Sequence, residues 1–372
     1  MKVLKVIVVA AARPNFMKVA PLMKRIAEHN SAPAGPELHA QLVHTGQHYD
    51  ERMSEIFFRD LGIRKPDINL GVGSGSHVVQ TAAVMTAFAP VCEREAPDWV
   101  VVVGDVNSTM ACTLVCAKMG VRVAHVEAGL RSFDRTMPEE INRIVTDALA
   151  DLLLTPSEDA NTNLLREGVS KNKIKLVGNI MIDCLVENLA QARESRMLAE
   201  YKLEPRRFVY VTLHRPSNVD EKVALSAIMR ELERIAEKMP VVFPIHPRTR
   251  KMLSQFGITS HSQKGLLLIE PVGYHDSLCL TENARLVLTD SGGLQEEATF
   301  FRTPCLTLRP NTERPVTVSI GSNRLTNIER LTADVADLLN GPERRGQTPA
   351  LWDGHTAQRT IECLLAASNG AE

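Results

Sequence analysis

With 372 residues, 44% of them hydrophobic, the chain is long for one core and suits two domains. A formal net charge of -1 gives no electrostatic case for nucleic acid or an anionic membrane as a partner, so any polyanion must be held locally. No run of 18 apolar residues predicts a transmembrane helix, and the N-terminus enters a strand without the n-region or cleavage site of a signal peptide.

The seven cysteines are Cys92, Cys112, Cys116, Cys184, Cys279, Cys305 and Cys363. Their number is odd and most sit in apolar patterns, which reads as reduced thiols in a cytoplasm. Cys112 and Cys116, one helical turn apart, read as core packing, not a metal pair.

Val3–Ala10 reads as a buried strand, with a helix from Phe16 to His29 after it. Ala11-Ala12-Arg13-Pro14-Asn15 stands where a dinucleotide-binding turn would, yet there is no GxGxxG, so no NAD is assigned. Arg13 and Lys18 beside the helix start suit a diphosphate, though viewed alone they read rather as two solvated charges. Leu42–Thr45 ends the next strand, before Gly46-Gln47-His48-Tyr49-Asp50. The Gly71–Ser76 stretch lacks the Lys-Ser/Thr ending of a P-loop and reads as a mobile connection with a lid role. A long helix from His77 to Glu95 follows.

Val100 to Arg143 is the most informative stretch. Two apolar runs, Trp99–Val103 and Val121–Val126, flank a helical pattern from Asn107 to Met119, a βαβ unit. Asp105 falls just past the first strand, Glu127 at the end of the second, and Glu139 at the start of the following helix. In open parallel sheets ligands bind beyond the carboxyl ends of the strands. Three carboxylates at that edge look like acid/base machinery. Thr136-x-x-Glu139 also fits a capping box, with Pro138 in the first turn. Glu127 directly follows a buried run, where a carboxylate must be paired or protonated.

Leu152–Thr155 (strand), Glu158–Glu167 (helix), Ile174–Val177 (strand) and a polar helix from Met181 to Arg196 complete the first half. A charged stretch from Glu194 to Arg207 reads as the linker. The second half alternates again, with strands at Phe208–Leu213, Val241–Ile245, Leu266–Glu270, Leu286–Thr289 and Cys305–Leu308. The predicted fold is therefore α/β, two Rossmann-like doubly wound domains facing a cleft. Residues 1–190 form the first, carrying the acids, and 191–353 the second, while a last helix within 354–372 crosses back to the first.

Thr289-Asp290-Ser291-Gly292-Gly293 ends a strand and opens a helix, so free N–H groups can meet an anion such as a diphosphate. Glu297, one turn in, can accept from ribose hydroxyls. Arg314, between turn residues, can clamp a phosphate. His214 and His246 each end a strand of the second domain and face the predicted cleft. No His/Cys/Asp/Glu spacing fits a metal site.

In order and spacing, these motifs resemble the non-hydrolysing UDP-N-acetylglucosamine 2-epimerases. The match rests on GDVNST, HVEAGLRSFDRTMPEEINR, VGNIMID, LHRPSNVD, LTDSGG-x-QEEA and TERP, and spans Arg13-Pro14 to Arg314-Pro315. The resemblance implies a glycosyltransferase-B-type fold and interconversion of UDP-GlcNAc and UDP-ManNAc at C2 without NAD or metal. UDP leaves C1 as the C2 proton is removed, and then re-adds to a 2-acetamidoglucal. It implies catalytic roles for Asp105, Glu127, Glu139 and His214, with Arg13 and Lys18 beside them. It further implies a UDP site of Ser291, Gly292, Gly293, Glu297 and Arg314, with Tyr274 near the uracil and His246 near the phosphates.

The resemblance also suggests a homodimer, and the expected role is polysaccharide precursor synthesis in the cytoplasm that the cysteines indicate. The chain departs from the family at Ala11-Ala12 and Asn15 in the first turn and at Ser277, where a Phe is usual. Gln47 and His48 match part of an allosteric site, whereas Asp50 replaces a glutamine. The other readings are an epimerase of a UDP-2,3-diacetamido sugar, a glycosyltransferase, a hydrolysing epimerase and a non-catalytic UDP-sugar binder.

Overall fold

The computed structural model describes residues 3–11, 13–31, 35–46, 65–258 and 265–369. The chain divides into two compact units, Met1–Val186 with Ala350–Glu372, and Glu187–Pro349.

In the first unit the strands are β1 (Val3–Ala10), β2 (Glu37–His44), β3 (Ile68–Asn69), β4 (Trp99–Val103), β5 (Arg122–Val126), β6 (Leu152–Thr155) and β7 (Ile174–Leu176). Among the described residues they form one parallel sheet in the order β3-β2-β1-β4-β5-β6-β7. The near-continuous apolar runs follow from burial on both faces. Val6, Val8, Val101 and Val103 pack with Phe16, Val19 and Leu22 of the Arg13–Ser31 helix and with Ile361 and Leu364 of the Thr356–Asn369 helix. The alternate residues Ile7, Val9, Val100 and Val102 pack on the other side against Phe88 and Val91, and against Cys112 and Cys116. The period of two along each strand thus sorts its side chains into two helix-covered layers.

In the second unit the strands are β8 (Val209–Thr212), β9 (Val241–Pro244), β10 (Leu266–Ile269), β11 (Leu286–Thr289), β12 (Cys305–Leu308) and β13 (Asn323–Thr326). They form a second parallel sheet in the order β10-β9-β8-β11-β12-β13. Val209, Val211, Leu286 and Leu288 pack on Leu225, Ile228 and Leu232, while Tyr210 and Val287 pack on Leu280, Leu294 and Ala298.

In each sheet the strand order reverses once, between β1 and β4 and between β8 and β11. Connections leave such neighbours toward opposite faces, which opens a crevice at their carboxyl ends. Lys18, Asp105 and Glu127 follow β1, β4 and β5; His214 and Ser291 follow β8 and β11. The α/β class with two doubly wound sheets is as expected from the sequence.

Several local expectations change. β3, β13, and helices at Val316–Ser319 and Leu331–Asn340 were not legible in the sequence. The helix expected from Met181 to Arg196 runs Ile180–Arg193, and its first turn is buried. Ser76, at the end of the glycine-rich stretch, caps the His77–Glu95 helix by accepting from Val79 N at 3.4 Å. Among the described residues no helix is long and apolar enough to cross a membrane.

Candidate active site

Glu127 is buried and takes φ 71°, a left-handed backbone rare for a residue with a Cβ. Its own N–H and that of Ala128 both donate to Leu154 O, at 3.1 and 3.2 Å, which holds the turn. Strain of this kind persists where surrounding bonds over-determine it, and it clusters at functional sites. Glu127 Oε2 pairs with the buried Lys18 ammonium. Oε1 is buried with no hydrogen-bond partner among the described residues. A carboxylate oxygen left open in this way is suited to a substrate proton.

Gly104 lies over this pair. A Cβ there would stand 3.0 Å from Lys18 Nζ and 3.5 Å from both Glu127 Oε2 and Asn15 Nδ2, and φ is +68°. The glycine therefore keeps the space above the ion pair open. Asn15 donates to Val103 O at 3.0 Å and secures the end of β4.

Asp105 is held twice. Its main-chain carbonyl accepts from Asn142 Nδ2 at 2.8 Å, and its carboxylate pairs with the buried Arg143. Both partners stand on the Pro138–Leu149 helix, three and four residues after Glu139, on the same helix face. Glu139 is half-buried in the first turn. The capping box expected there does not form. The cap residue is Met137, without a side-chain bond, and the Thr136 hydroxyl donates to Asp134 at 2.6 Å. Glu140, unnoticed in the sequence, is the structural acid: it accepts from Ser132 N at 3.0 Å and Phe133 N at 2.9 Å and pairs with Arg143 at 2.6 Å.

In the second unit, His214 Nδ1 lies 3.2 Å from Asp290 Oδ1. Asp290 is fully buried and also accepts from Arg215 N at 2.9 Å and Asn218 Nδ2 at 3.0 Å. Burial alone would raise its pKa, but His214 and Asn218 hold it below the usual range. His246 packs against His214 with ring centroids 5.6 Å apart and the rings tilted by 41°. Its Nδ1 accepts from Arg248 N at 3.2 Å and caps the Pro247–Gln255 helix, a role that sequence reasoning missed. Burial, then the neighbouring His214, lowers its pKa.

The Gly292–Phe301 helix begins after Ser291 with no side-chain cap, so its first-turn N–H groups are open to a ligand. A Cβ on Gly292 would stand 2.9 Å from Glu313 Oε1 and 3.1 Å from Arg314 Nη1, which places that guanidinium beside the helix start. Arg314 also pairs with Glu296 at 2.7 Å and Glu313 at 2.5 Å, so it is pre-oriented by carboxylates. Glu297 is buried, and its pKa is pushed up to about 8 by burial first and by Glu296 second. It is therefore mostly neutral at pH 7 and can donate as well as accept, unlike the carboxylate expected from the sequence.

Tyr274 opens the Tyr274–Asn283 helix, and Ser277 one turn later bonds the buried Tyr210 hydroxyl at 2.9 Å. Arg13 starts its helix, and its side chain lies outside the described residues, as do Gln47, His48 and Asp50. Among the described residues no group of three or more His, Cys, Asp or Glu could hold a metal ion.

Two doubly wound parallel sheets, each with polar groups gathered at its switch point, define an α/β protein of the glycosyltransferase-B-like class. The family described as UDP-N-acetylglucosamine 2-epimerase matches residues 31–365. A UDP-N-acetylglucosamine 2-epimerase of Methanocaldococcus jannaschii is 41% identical over 370 residues, 97% of this chain and 99% of that protein. A UDP-2,3-diacetamido-2,3-dideoxy-D-glucuronate 2-epimerase of Pseudomonas aeruginosa is 41% identical over 330 residues, 88% of this chain and 89% of that protein. A crystal structure of the M. jannaschii UDP-GlcNAc 2-epimerase in complex with UDP-GlcNAc and UDP covers 98% of this chain and 100% of its own, with a TM-score of 0.85 at 41% identity. The chain belongs to the UDP-N-acetylglucosamine 2-epimerase family.

Proposed function

We infer that this protein interconverts UDP-N-acetylglucosamine and UDP-N-acetylmannosamine by inverting C2. The observation that carries the reading is the near full-length match, at 41% identity, to a structure that binds UDP-GlcNAc and UDP. The buried Glu127–Lys18 pair at the β5 end fits the chemistry required.

The C2 hydrogen of the substrate is not acidic, so it must leave together with a leaving group. A side-chain base takes the C2 proton, the C2–H electrons form the C1=C2 double bond, and the C1–O bond breaks to release UDP. Returning a proton to the opposite face of C2 and the diphosphate oxygen to C1 gives the epimer. Two faces call for more than one acid/base group. Glu127, Asp105 and Glu139 are the candidates. Lys18 stabilises charge near the reacting carbons, a role the family resemblance extends to Arg13.

The uncapped helix at Ser291, Gly292 and Gly293, with Arg314 beside it, receives the diphosphate, where fixed dipoles favour the departing anion. His214, oriented by Asp290, donates to the same group, and His246 lies next to it. Glu297 meets the ribose hydroxyls and Tyr274 the uracil. We further infer a homodimer, as the family resemblance implies, that supplies cell-surface polysaccharide precursors in the cytoplasm indicated by its reduced cysteines.

Incubation with UDP-GlcNAc alone in D2O, followed by NMR, tests the reading. Two UDP-sugars with deuterium at C2 are expected. Free ManNAc would mean hydrolysis, and an unchanged substrate would reject the reading. The P. aeruginosa relative, a UDP-2,3-diacetamido-2,3-dideoxy-D-glucuronate 2-epimerase, shares the same 41% identity over a shorter span, 88% of this chain, and supports a second reading for the substrate. Faster turnover of UDP-2,3-diacetamido-glucuronate in the same assay would establish that alternative.

A further inference from the structure

Glu127 is flanked by a buried polar network that no step above uses. His125, fully buried, has Nδ1 2.6 Å from Asp147 Oδ1 and Nε2 2.9 Å from the Gly104 carbonyl oxygen. That carbonyl only accepts, so Nε2 carries a hydrogen and donates it. The other Asp147 oxygen accepts from Gly129 N at 3.0 Å and from Arg131 Nη1 at 2.7 Å. Arg131 in turn grips Glu167 through Nε at 2.7 Å and Nη2 at 2.6 Å. Burial alone would raise the Asp147 pKa, but His125 and Arg131 outweigh it and hold the carboxyl below the ordinary range.

One carboxylate therefore ties the chain on both sides of Glu127, through residue 125 before it and residue 129 after it. Through His125 it also reaches Gly104, the residue before Asp105 and the one that roofs the Glu127–Lys18 pair. Stability alone does not call for this arrangement, since packed apolar residues often serve as well as buried ions. Such a network is better suited to fixing a geometry.

We propose that Asp147 and His125 are positioning residues, which hold the left-handed backbone of Glu127 and the Gly104–Asp105 turn at a set spacing so that the Glu127 and Asp105 carboxylates meet the C2 hydrogen from fixed positions. The proposal rests on the epimerase reading for what Glu127 does. Asp147→Asn preserves shape and removes the charge. Its kcat is expected to fall about 100-fold, the loss that a misplacement of about 1 Å can cause, with KM within about twofold of the parent. The primary isotope effect with substrate deuterated at C2 should rise, because a misaimed base slows proton transfer. A protein that is merely less stable yields fewer active molecules with the parental isotope effect.

His125→Gln, which keeps a donor for the Gly104 carbonyl, should recover activity relative to His125→Ala, and this pair decides the matter if Asp147→Asn does not fold. Parental kcat and isotope effect in Asp147→Asn, or equal activity of the two His125 variants, would overturn the positioning role. If the parent exchanges no C2 hydrogen, the epimerase reading fails instead. A crystal structure of Asp147→Asn then judges the positioning alone, and an unchanged Glu127 backbone would refute it.

Discussion

At Glu127 a buried carboxylate, a left-handed backbone and a lysine meet, and each part is accessible to a single substitution. Glu127→Gln keeps the shape and removes the proposed acid/base group. Exchange at C2 should vanish while UDP binds with unchanged affinity by calorimetry; normal turnover would remove Glu127 from the mechanism. Gly104→Ala puts a methyl 3.0 Å from Lys18 Nζ at φ +68°. It should cost about 1–2 kcal/mol in stability from the backbone alone, with a further loss of kcat, as read by thermal unfolding and initial rates.

Glu297 gives a pH signature. Its pKa stands near 8 in the folded chain against 4.5 as a free group, so between those values the native state holds the extra proton. Stability from this group is complete below about pH 4.5 and is lost as pH rises toward 8. The Tm of Glu297→Gln should gain on the parent between pH 5 and pH 8, and a constant difference would contradict the buried neutral acid.

Part of this was legible beforehand. Glu127 stood out because a charge directly after an apolar strand needs a partner. Its left-handed backbone did not, because no glycine marks the position. Glu139 and Glu140 are adjacent in sequence, and only the helix register shows which of them turns inward to Arg143.

Among the elements, the long apolar strands were readable because both their faces are buried, and so were the helices between them. β3 and β13 escaped notice. Ile68–Asn69 has two residues, and Asn323–Thr326 mixes polar and apolar side chains at a sheet edge, so neither carries a hydrophobic period. The capping box failed because Asp134 takes the Thr136 hydroxyl two residues earlier, a local competition that spacing alone does not reveal.

The glycine-opened helix at Ser291 invites a direct test. Gly292→Ala would push its methyl against Glu313 and Arg314, at 2.9 and 3.1 Å. UDP affinity should drop by about tenfold or more, roughly the loss of one charge-assisted contact, and unchanged affinity would separate this helix from the diphosphate.

At the scale of the whole molecule, the chain end belongs to the first unit. Ile361 and Leu364 complete its core, and Trp99 Nε1 donates to Ser368 Oγ at 2.9 Å. The other tryptophan, Trp352, donates to Pro156 O at 3.1 Å, so both indoles report on this unit. Removing residues 356–372 should shift tryptophan emission to the red and lower the unfolding midpoint of the first unit. An unshifted spectrum would show that the helix contributes little there.

The reaction assigned to the molecule depends on UDP leaving the sugar and coming back. Substrate labelled with 18O in the bridge between C1 and the β-phosphorus tests this most directly, by the isotope shift in its 31P NMR signal. Once the C1–O bond breaks, the bridging oxygen becomes one of three on the terminal phosphate of UDP. Scrambling of label into the non-bridging positions, at a rate no slower than epimerisation, is the result expected. UDP-ManNAc formed with all of its label still in the bridge would contradict it.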